Sequence, residues 1–512
     1  MNILIAGSSG LLGKDLFNIF KNNNINIKGT YNKNKINEEL DYIDFFDING
    51  LEKYCLDNKI THIINLIAER TPEVCENNWE LTYKINIKLL ENLIYICNKH
   101  NIILIQLSTD YVFDGINPPY NIESEKKPLQ NYGKSKSISE EKIINNSKRF
   151  IIIRTNVLYS LISNLSESPV TIIGKNIMNL TNKPIIDDYY IRRPVNCLDL
   201  SNFILNLCIT DKKGIYHFYN TESYYTKYKI GLVICNILNI NNIKKQENID
   251  HSIIRPYDTQ LISNRIPLYK SIFSEDLKSI FSKYRIPNIC NINKEKIIFL
   301  LDLDGTVISE DIHFEVYRTI LKKYDIMYTK EQYIESTNNV MYNGKCTNYL
   351  LKNNYINQSQ AEEISKLKKE LILTYDYPIK LIPNFDIFLN KISKITDKIV
   401  VVSNSPKKYI ELIKKKHNLL NTIKYWTTRD DYKNPKPDCE PYMTALKKFN
   451  IDTANINEYT IFGFENSYLG LKSINQVTNL VLNCIYDYSM FNKYDGAYYF
   501  NDYDQVISLL NI

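Results

Sequence analysis

Short apolar runs, each closed by a polar turn, recur along the chain. Residues 2–6, 25–31, 61–68, 102–107 and 154–159 read as strands in the first half, and 297–301, 398–402 and 459–464 repeat the pattern in the second. Runs of this length suit strands buried on both faces of a parallel sheet. Between them, residues 14–20 and 79–100 carry a helical pattern, and 308–379 are mostly helical in pattern. Strands alternating with helices predict an α/β protein. The polar, proline-bearing stretch 287–295 reads as a linker, which divides the chain into domains at 1–286 and 296–512.

The chemistry sits where the apolar runs stop. The first strand runs into Gly7-Ser8-Ser9-Gly10-Leu11-Leu12-Gly13 and then a helix. Glycines there let the backbone turn tightly and approach a pyrophosphate, which the helix N-terminus stabilises. The run 102–107 ends in Ser108 and Thr109, at the strand edge where ligands bind in open α/β sheets. Tyr132 and Lys136 are four apart and share a helix face. A hydroxyl, a phenol and an ammonium make a proton-transfer device, in which Thr109 holds a substrate oxygen and Lys136 lowers the Tyr132 pKa. In the second half, the strand 297–301 ends in Asp302-Leu303-Asp304-Gly305-Thr306. Two carboxylates so spaced point the same way, to hold Mg²⁺ and attack phosphorus.

The glycine loop, Ser108-Thr109-Asp110-Tyr111-Val112-Phe113-Asp114-Gly115 and Tyr132-Gly133-Lys134-Ser135-Lys136 together resemble the extended short-chain dehydrogenase/reductases, and within them the dTDP-4-dehydrorhamnose reductase family. Residues 68–77 and 115–120 are similar to one branch of it, the regulatory β subunit of methionine adenosyltransferase, which keeps the nucleotide site but serves as a partner subunit. The resemblance implies an NAD(P)-binding Rossmann fold with a small substrate lobe. It implies cofactor contacts from Gly7, Gly10, Leu11, Leu12 and Gly13, from Asp47 and Ile48 near the adenine, from Asn65 to Ala68, and from Tyr132 and Lys136. Substrate contacts are implied for Asp110 and Tyr111, with Arg192 or Arg193 and Arg255 facing a diphosphate. Asn86 would support the active-site backbone. No acidic residue closes the second strand; Asn32-Lys33-Asn34-Lys35 there favours the 2′-phosphate of NADP.

The second half resembles the haloacid dehalogenase superfamily, closest to its phosphoglucomutase-like phosphatases, with a cap at about 308–379. Asp302 would be the nucleophile and Asp304 the acid/base. Ser403 and Asn404 would bind the phosphoryl oxygens, and Asp302, Asp304, Glu465 and Asn466 the Mg²⁺. Two departures stand out. Asn434 occupies the place expected for a lysine in Asn434-Pro435-Lys436-Pro437-Asp438, with Lys433 or Lys436 as substitutes, and Asn466 replaces a carboxylate.

Composition narrows the setting. With 44% hydrophobic and 23% charged residues the chain is ordinary for a globular protein, and a net charge of +6 without like-charge blocks argues against nucleic acid. Ten cysteines without a Cys-x-x-Cys pair suit a reducing compartment, and the absence of a long apolar run suits a cytoplasmic protein off the membrane. The sequence reading is thus a bifunctional protein: an NADPH-dependent reductase of a nucleotide-activated 4-keto-6-deoxysugar joined to a Mg²⁺-dependent phosphatase of a small phosphorylated metabolite. The alternative is a nucleotide-binding regulatory subunit with a degenerate phosphatase domain. The expected partner is a second copy of the chain or a methionine adenosyltransferase.

Overall fold

The computed structural model describes residues 1–32, 38–161, 164–210, 212–220, 224–248, 253–263, 271–338, 345–486 and 495–512. Lys33 and Lys35, expected to select NADP, lie outside them. Contacts divide the chain into two units. One is Met1–Lys175 with Pro184–Cys235 and Ile243–Ile280; the other is Phe281–Ile512 with Asn176–Lys183 and Asn236–Asn242.

The first unit is built on seven parallel strands: β1 (Asn2–Ala6), β2 (Asn26–Tyr31), β3 (Leu40–Tyr42), β4 (His62–Asn65), β5 (Ile103–Thr109), β6 (Phe150–Thr155) and β7 (Gly214–Phe218). Their order is β7-β6-β5-β4-β1-β2-β3. Chain order reverses between β1 and β4, which opens a crevice at their carboxyl ends. Successive residues of β1 serve opposite cores. Ile3 and Ile5 join Leu16, Phe20 and Leu200 on one face, and Leu4 and Ala6 join Leu51, Leu90 and Leu93 on the other. Burial on both faces is why these strands read as unbroken apolar runs.

Two sequence expectations shift. The strand expected over 154–159 forms at Phe150–Thr155, because Ile151 to Ile153 are the residues that reach the core. The helix expected over 79–100 is broken into Trp79–Tyr83, a π-helical turn Lys84–Lys88, and Leu89–His100. Wide turns of this kind occur mostly at functional sites, and this one carries Asn86.

The second unit is a six-stranded parallel sheet of β8 (Ile297–Leu301), β9 (Ile399–Val402), β10 (Tyr425–Thr427), β11 (Thr460–Glu465), β12 (Leu480–Cys484) and β13 (Tyr498–Phe500), in the order β10-β9-β8-β11-β12-β13. Phe299, Phe388, Phe464 and Tyr503 pack on one face, and Leu300 and Val400 with Tyr442 and Leu446 on the other. The helices Asp311–Leu321, Lys330–Asn338, Cys346–Lys352 and Gln358–Leu371 form an insertion between β8 and β9. Its entry and exit are clasped together, with Ser309 N–H donating to Lys380 O at 2.8 Å and Ile382 N–H to Val307 O at 3.0 Å.

One buried ion pair fixes the first unit. Arg154 on β6 meets Glu140 on the helix Asn131–Asn146 at 2.8 Å, with side chains 3% and 0% exposed. Ser108 on β5 donates to the same carboxylate at 2.5 Å. Burial opposes ionisation of Glu140, but Arg154, Ser108 and Lys126 outweigh it and hold its pKa below the ordinary value. Glu140→Gln is expected to destabilise the unit by about 3–5 kcal/mol at pH 7, because it strands a buried guanidinium. Denaturant unfolding with a loss under about 1 kcal/mol would show the pair to be dispensable.

Candidate active sites

At the β1–β4 crevice, Gly10 caps the helix Leu11–Asn22 with extended backbone and no side-chain cap. A Cβ on Gly13 would stand 2.3 Å from Gly7 O and 2.7 Å from Ser8 Cα, so only glycine lets the helix lie this close to the loop. Gly7 N–H donates to Thr30 Oγ1 at 3.1 Å, tying the loop to β2. Leu11 and Leu12 are buried in the core, and as the first two residues of the helix they have no intrahelical partner for their backbone N–H groups. Uncapped N–H groups over a cradle that a methyl would fill fit a dinucleotide diphosphate. Asp47 is exposed and caps the helix Ile48–Asp57, accepting from Gly50 N–H at 3.1 Å, with Ile48 exposed beside it. Asn65 ends β4, where its amide donates to Gln106 at 2.8 Å and its carbonyl accepts from Ile67 N–H at 3.1 Å; Ala68 follows, half-buried.

Thr109 ends β5, where its hydroxyl donates to Asp110 at 3.1 Å and accepts from Tyr111 N–H at 3.2 Å. Lys136 lies one turn on, buried, with no hydrogen bond or ion pair for its ammonium among the described residues. Asn86 is the bracket behind them. It accepts from Glu69 N–H at 2.7 Å and donates to Ser135 Oγ at 2.9 Å, and Ser135 donates to Tyr132 O at 2.7 Å. The pKa pattern differs from expectation. Burial pushes the Tyr132 phenol up, against the lowering effects of Thr109 and Arg70. Burial pushes Lys136 itself down to about 8.

The expected substrate residues divide. Asp110 is buried. Its carboxylate accepts from Thr109 at 3.1 Å, from Asn156 at 2.7 Å and from Thr259, so it binds elements together rather than facing outward. Arg193 is paired to Asp258 at 3.0 Å and donates to Gln260 at 3.2 Å, which corrects its assignment as a diphosphate ligand. Arg192 instead lies over the Tyr111 and Tyr190 rings at 6.0 and 5.5 Å. Arg255 pairs with Glu73, yet its charge and that of Arg192 reach Lys227, whose pKa is lowered by burial first and by these two cations next. Lys227 carries no sequence signal that would have singled it out.

In the second unit Asp302 ends β8, and Lys436 donates to Asp302 Oδ1 at 2.5 Å, to Glu465 Oε1 at 2.5 Å and to Val402 O at 3.0 Å. Burial works to strip the Lys436 proton, but the two carboxylates outweigh it and hold the ammonium above the ordinary lysine range. Burial and Glu465 push Asp302 up, with Lys436 opposing them. Of Lys433 and Lys436, the two lysines offered in place of Asn434, Lys436 is the one that reaches Asp302.

Asp304 accepts from Ser405 at 3.1 Å and Tyr409 at 3.1 Å, and meets His313 at 3.0 Å. Burial opposes its ionisation, yet His313, Lys368 and Tyr409 together hold its pKa low. Ser403 closes β9, buried, and accepts from Ser405 N–H at 3.0 Å. Asn404 Oδ1 accepts from Tyr432 at 2.7 Å, leaving its N–H₂ as the anion donor. Neither His313 nor Tyr409 lies in a motif, and no sequence signal marked them.

The expected Mg²⁺ set does not assemble. Glu465 is taken up by Lys436, by Tyr442 at 2.7 Å and by the Asn466 N–H at 3.0 Å. Asn466 packs on Gly305, whose φ is +86°, and donates its amide to Glu310 at 2.9 Å. Among the described residues no three His, Cys, Asp or Glu side chains are placed to hold a metal.

Two nucleotide- and phosphate-type sites on parallel sheets thus define the chain as a Rossmann-like domain followed by a second, hydrolase-like α/β domain. Residues 1–275 match the family model described as RmlD substrate binding domain, and residues 297–458 match that described as haloacid dehalogenase-like hydrolase. The chain belongs to the RmlD substrate binding domain family, with a haloacid dehalogenase-like hydrolase domain following. It is similar to methionine adenosyltransferase 2 subunit beta of Xenopus laevis, 30% identical over 271 residues that cover 51% of this chain and 80% of that one. The Bos taurus subunit is 29% identical over 272 residues, covering 52% and 81%. Among solved structures, a hypothetical dTDP-4-dehydrorhamnose reductase from Sulfolobus tokodaii is 25% identical with a TM-score of 0.45, covering 51% of this chain and 92% of that one. No helix among the described residues is long and apolar enough to cross a membrane, and all ten cysteines are free of disulfides.

The Lys136 environment makes a prediction. The folded protein refuses, from pH 8 upward, a proton that the unfolded lysine keeps to about 10.5, so the penalty is full at pH 7 and fades as pH rises. Lys136→Met should raise stability at pH 7 by about 2–3 kcal/mol, with the gain shrinking above pH 8. Thermal melts across pH that show Lys136→Met less stable at pH 7 would mean the ammonium is well solvated.

Proposed function

We propose that the first half is an NADPH-dependent reductase of a nucleotide-activated 4-keto-6-deoxysugar. One observation carries the reading: Tyr132 and a buried lysine one turn along the same helix, which packs against β5 where that strand ends in Thr109, beside a glycine cradle. A bound NADPH supplies the hydride. Thr109 orients the sugar C4 carbonyl, and Tyr132 donates the proton to its oxygen as the alkoxide forms. A phenol held high by burial stays protonated until that charge develops. Lys136 holds the nicotinamide ribose and screens the tyrosinate after transfer. Arg192, Arg255 and Lys227 take the substrate diphosphate, the guanidinium forks matching phosphate oxygens. NADPH oxidation on dTDP- or UDP-4-keto-6-deoxyhexose tests this. Tyr132→Phe should lower kcat by about 10²–10⁴-fold with NADPH affinity kept. Equal turnover by both forms would remove Tyr132 from the chemistry.

The second half is proposed to act on a small phosphomonoester. Ser403, Asn404 and Lys436 hold the phosphoryl oxygens, Asp302 attacks phosphorus, and Asp304 moves the proton to the leaving oxygen. With Asn466 in place of a carboxylate, hydrolysis of p-nitrophenyl phosphate should be slow and gain little from Mg²⁺. Asn466→Asp should gain at least about tenfold in the presence of Mg²⁺, and Asp302→Asn should lose all hydrolysis. A wild-type rate that rises steeply with Mg²⁺ would contradict the weak metal site.

The identity to methionine adenosyltransferase 2 subunit beta favours a second reading, a nucleotide-binding regulatory subunit of such an enzyme. Stable co-purification with a methionine adenosyltransferase, together with NADPH binding but no turnover, would select it.

A further inference from the structure

Glu167 stands between the two walls of the first crevice. Its carboxylate meets the Lys14 ammonium at 2.5 Å, and its backbone carbonyl accepts from Arg70 Nη2 at 3.0 Å. Lys14 is in the first turn of the helix that follows the glycine loop, its N–H donating to Gly10 O at 3.1 Å. Arg70 follows β4 on the opposite wall and is one of the charges acting on Tyr132. One anionic residue thus engages cations on both sides of the place where chain order reverses, the position a dinucleotide occupies in such sheets.

The contact is incompletely satisfied. Oε2 of Glu167 and Oδ2 of Asp15, four residues into the same helix start, are both buried without a hydrogen-bond partner. Burial first, and the Glu167 charge as well, push the Asp15 pKa up. Asn164 adds one donor to Glu167 Oε1, at 2.9 Å, from its own short turn. Buried polar atoms are nearly always paired in native proteins. A carboxylate held by one lysine, with its other oxygen orphaned beside a second carboxylate, is poised to give way to a better anion.

We propose that Glu167 is an intramolecular competitor of the dinucleotide: its carboxylate occupies the Lys14 ammonium that the cofactor diphosphate takes on binding. Lys14 is then a diphosphate ligand, and Glu167 sets the threshold concentration at which the nucleotide enters. The inference rests on the reading that this half binds NADP(H).

Fluorescence titration of the full chain with NADPH tests it, using wild type, Glu167→Gln, Lys14→Gln and the double variant. Glu167→Gln should bind about fivefold more tightly than wild type, the scale of one partly exposed ion pair. Lys14→Gln should bind more weakly than wild type, and adding Glu167→Gln to it should bring no gain. Glu167→Asp, with a shorter reach to Lys14, should fall between wild type and Glu167→Gln. Binding by wild type that Glu167→Gln leaves equal or weakens would overturn the proposal while the cofactor reading stands. NADPH binding by none of these forms would remove the cofactor reading, and the proposal with it.

Discussion

Arg154 lies inside the first sheet, and a guanidinium there is tolerable only when fully paired. Glu140 pairs it, and Glu140 belongs to the helix that carries Tyr132 and Lys136. Ser108 shares the carboxylate, and in the sheet register Ser108 faces Arg154 and Thr109 faces Thr155. A single charge cluster therefore sets the helix against the ends of β5 and β6. The placing of the Tyr132 helix against the end of β5, where Thr109 sits, follows from that setting. His217 completes the surroundings: burial and Arg154 push it down to about 4, so it stays neutral and adds no second charge. Asn86 then braces the same helix from the other side, through the wide turn that breaks its own helix.

The second unit solves a similar problem with different parts. A carboxylate at a buried strand end needs a counter-charge, and Lys436 supplies it to Asp302 and Glu465 at once. Asp304, two residues on, is served instead by hydroxyls and by His313 from the helical insertion. The insertion is clasped at its base, so His313 and Lys368 are delivered to Asp304 by elements that enter and leave together. Replacement of a carboxylate by Asn466 removes one charge from this cluster, and its amide now bonds Glu310. Among the described residues no three His, Cys, Asp or Glu side chains are placed to hold a metal there, and slow hydrolysis is the proposal that follows.

Much of this was legible in the sequence, for identifiable reasons. Strands buried on both faces announce themselves as apolar runs, and β8 begins and ends where the pattern places it. Thr109 and Asp302 sit at strand ends and Tyr132 at a helix start, with turn chemistry around them, so their positions follow from local rules. β3, β7, β10, β12 and β13 went unmarked: β3, β10 and β13 are three residues long, and β7 and β12 carry His217 and Asn483 among their apolar residues. Long-range pairing was not legible at all. Nothing local tells that Arg193 is committed to Asp258 while Arg192 is left over Tyr111, or that Asp110 is spent on Asn156 and Thr259. For the lysine of the second site the sequence leaves Lys433 and Lys436 as alternatives, and the contact with Asp302 singles out Lys436.

Reduction of a sugar ketone at the Thr109–Tyr132–Lys136 site is the proposal on which the rest turns. It is tested most directly by following the hydride itself. NADPH deuterated at the transferable position of nicotinamide C4 would be incubated with dTDP- and UDP-4-keto-6-deoxyhexose, and the product read by mass spectrometry and proton NMR. The account predicts one deuterium in the product, at sugar C4. NADPH that binds the protein yet leaves both sugars unlabelled would contradict it and leave the nucleotide site a regulatory one.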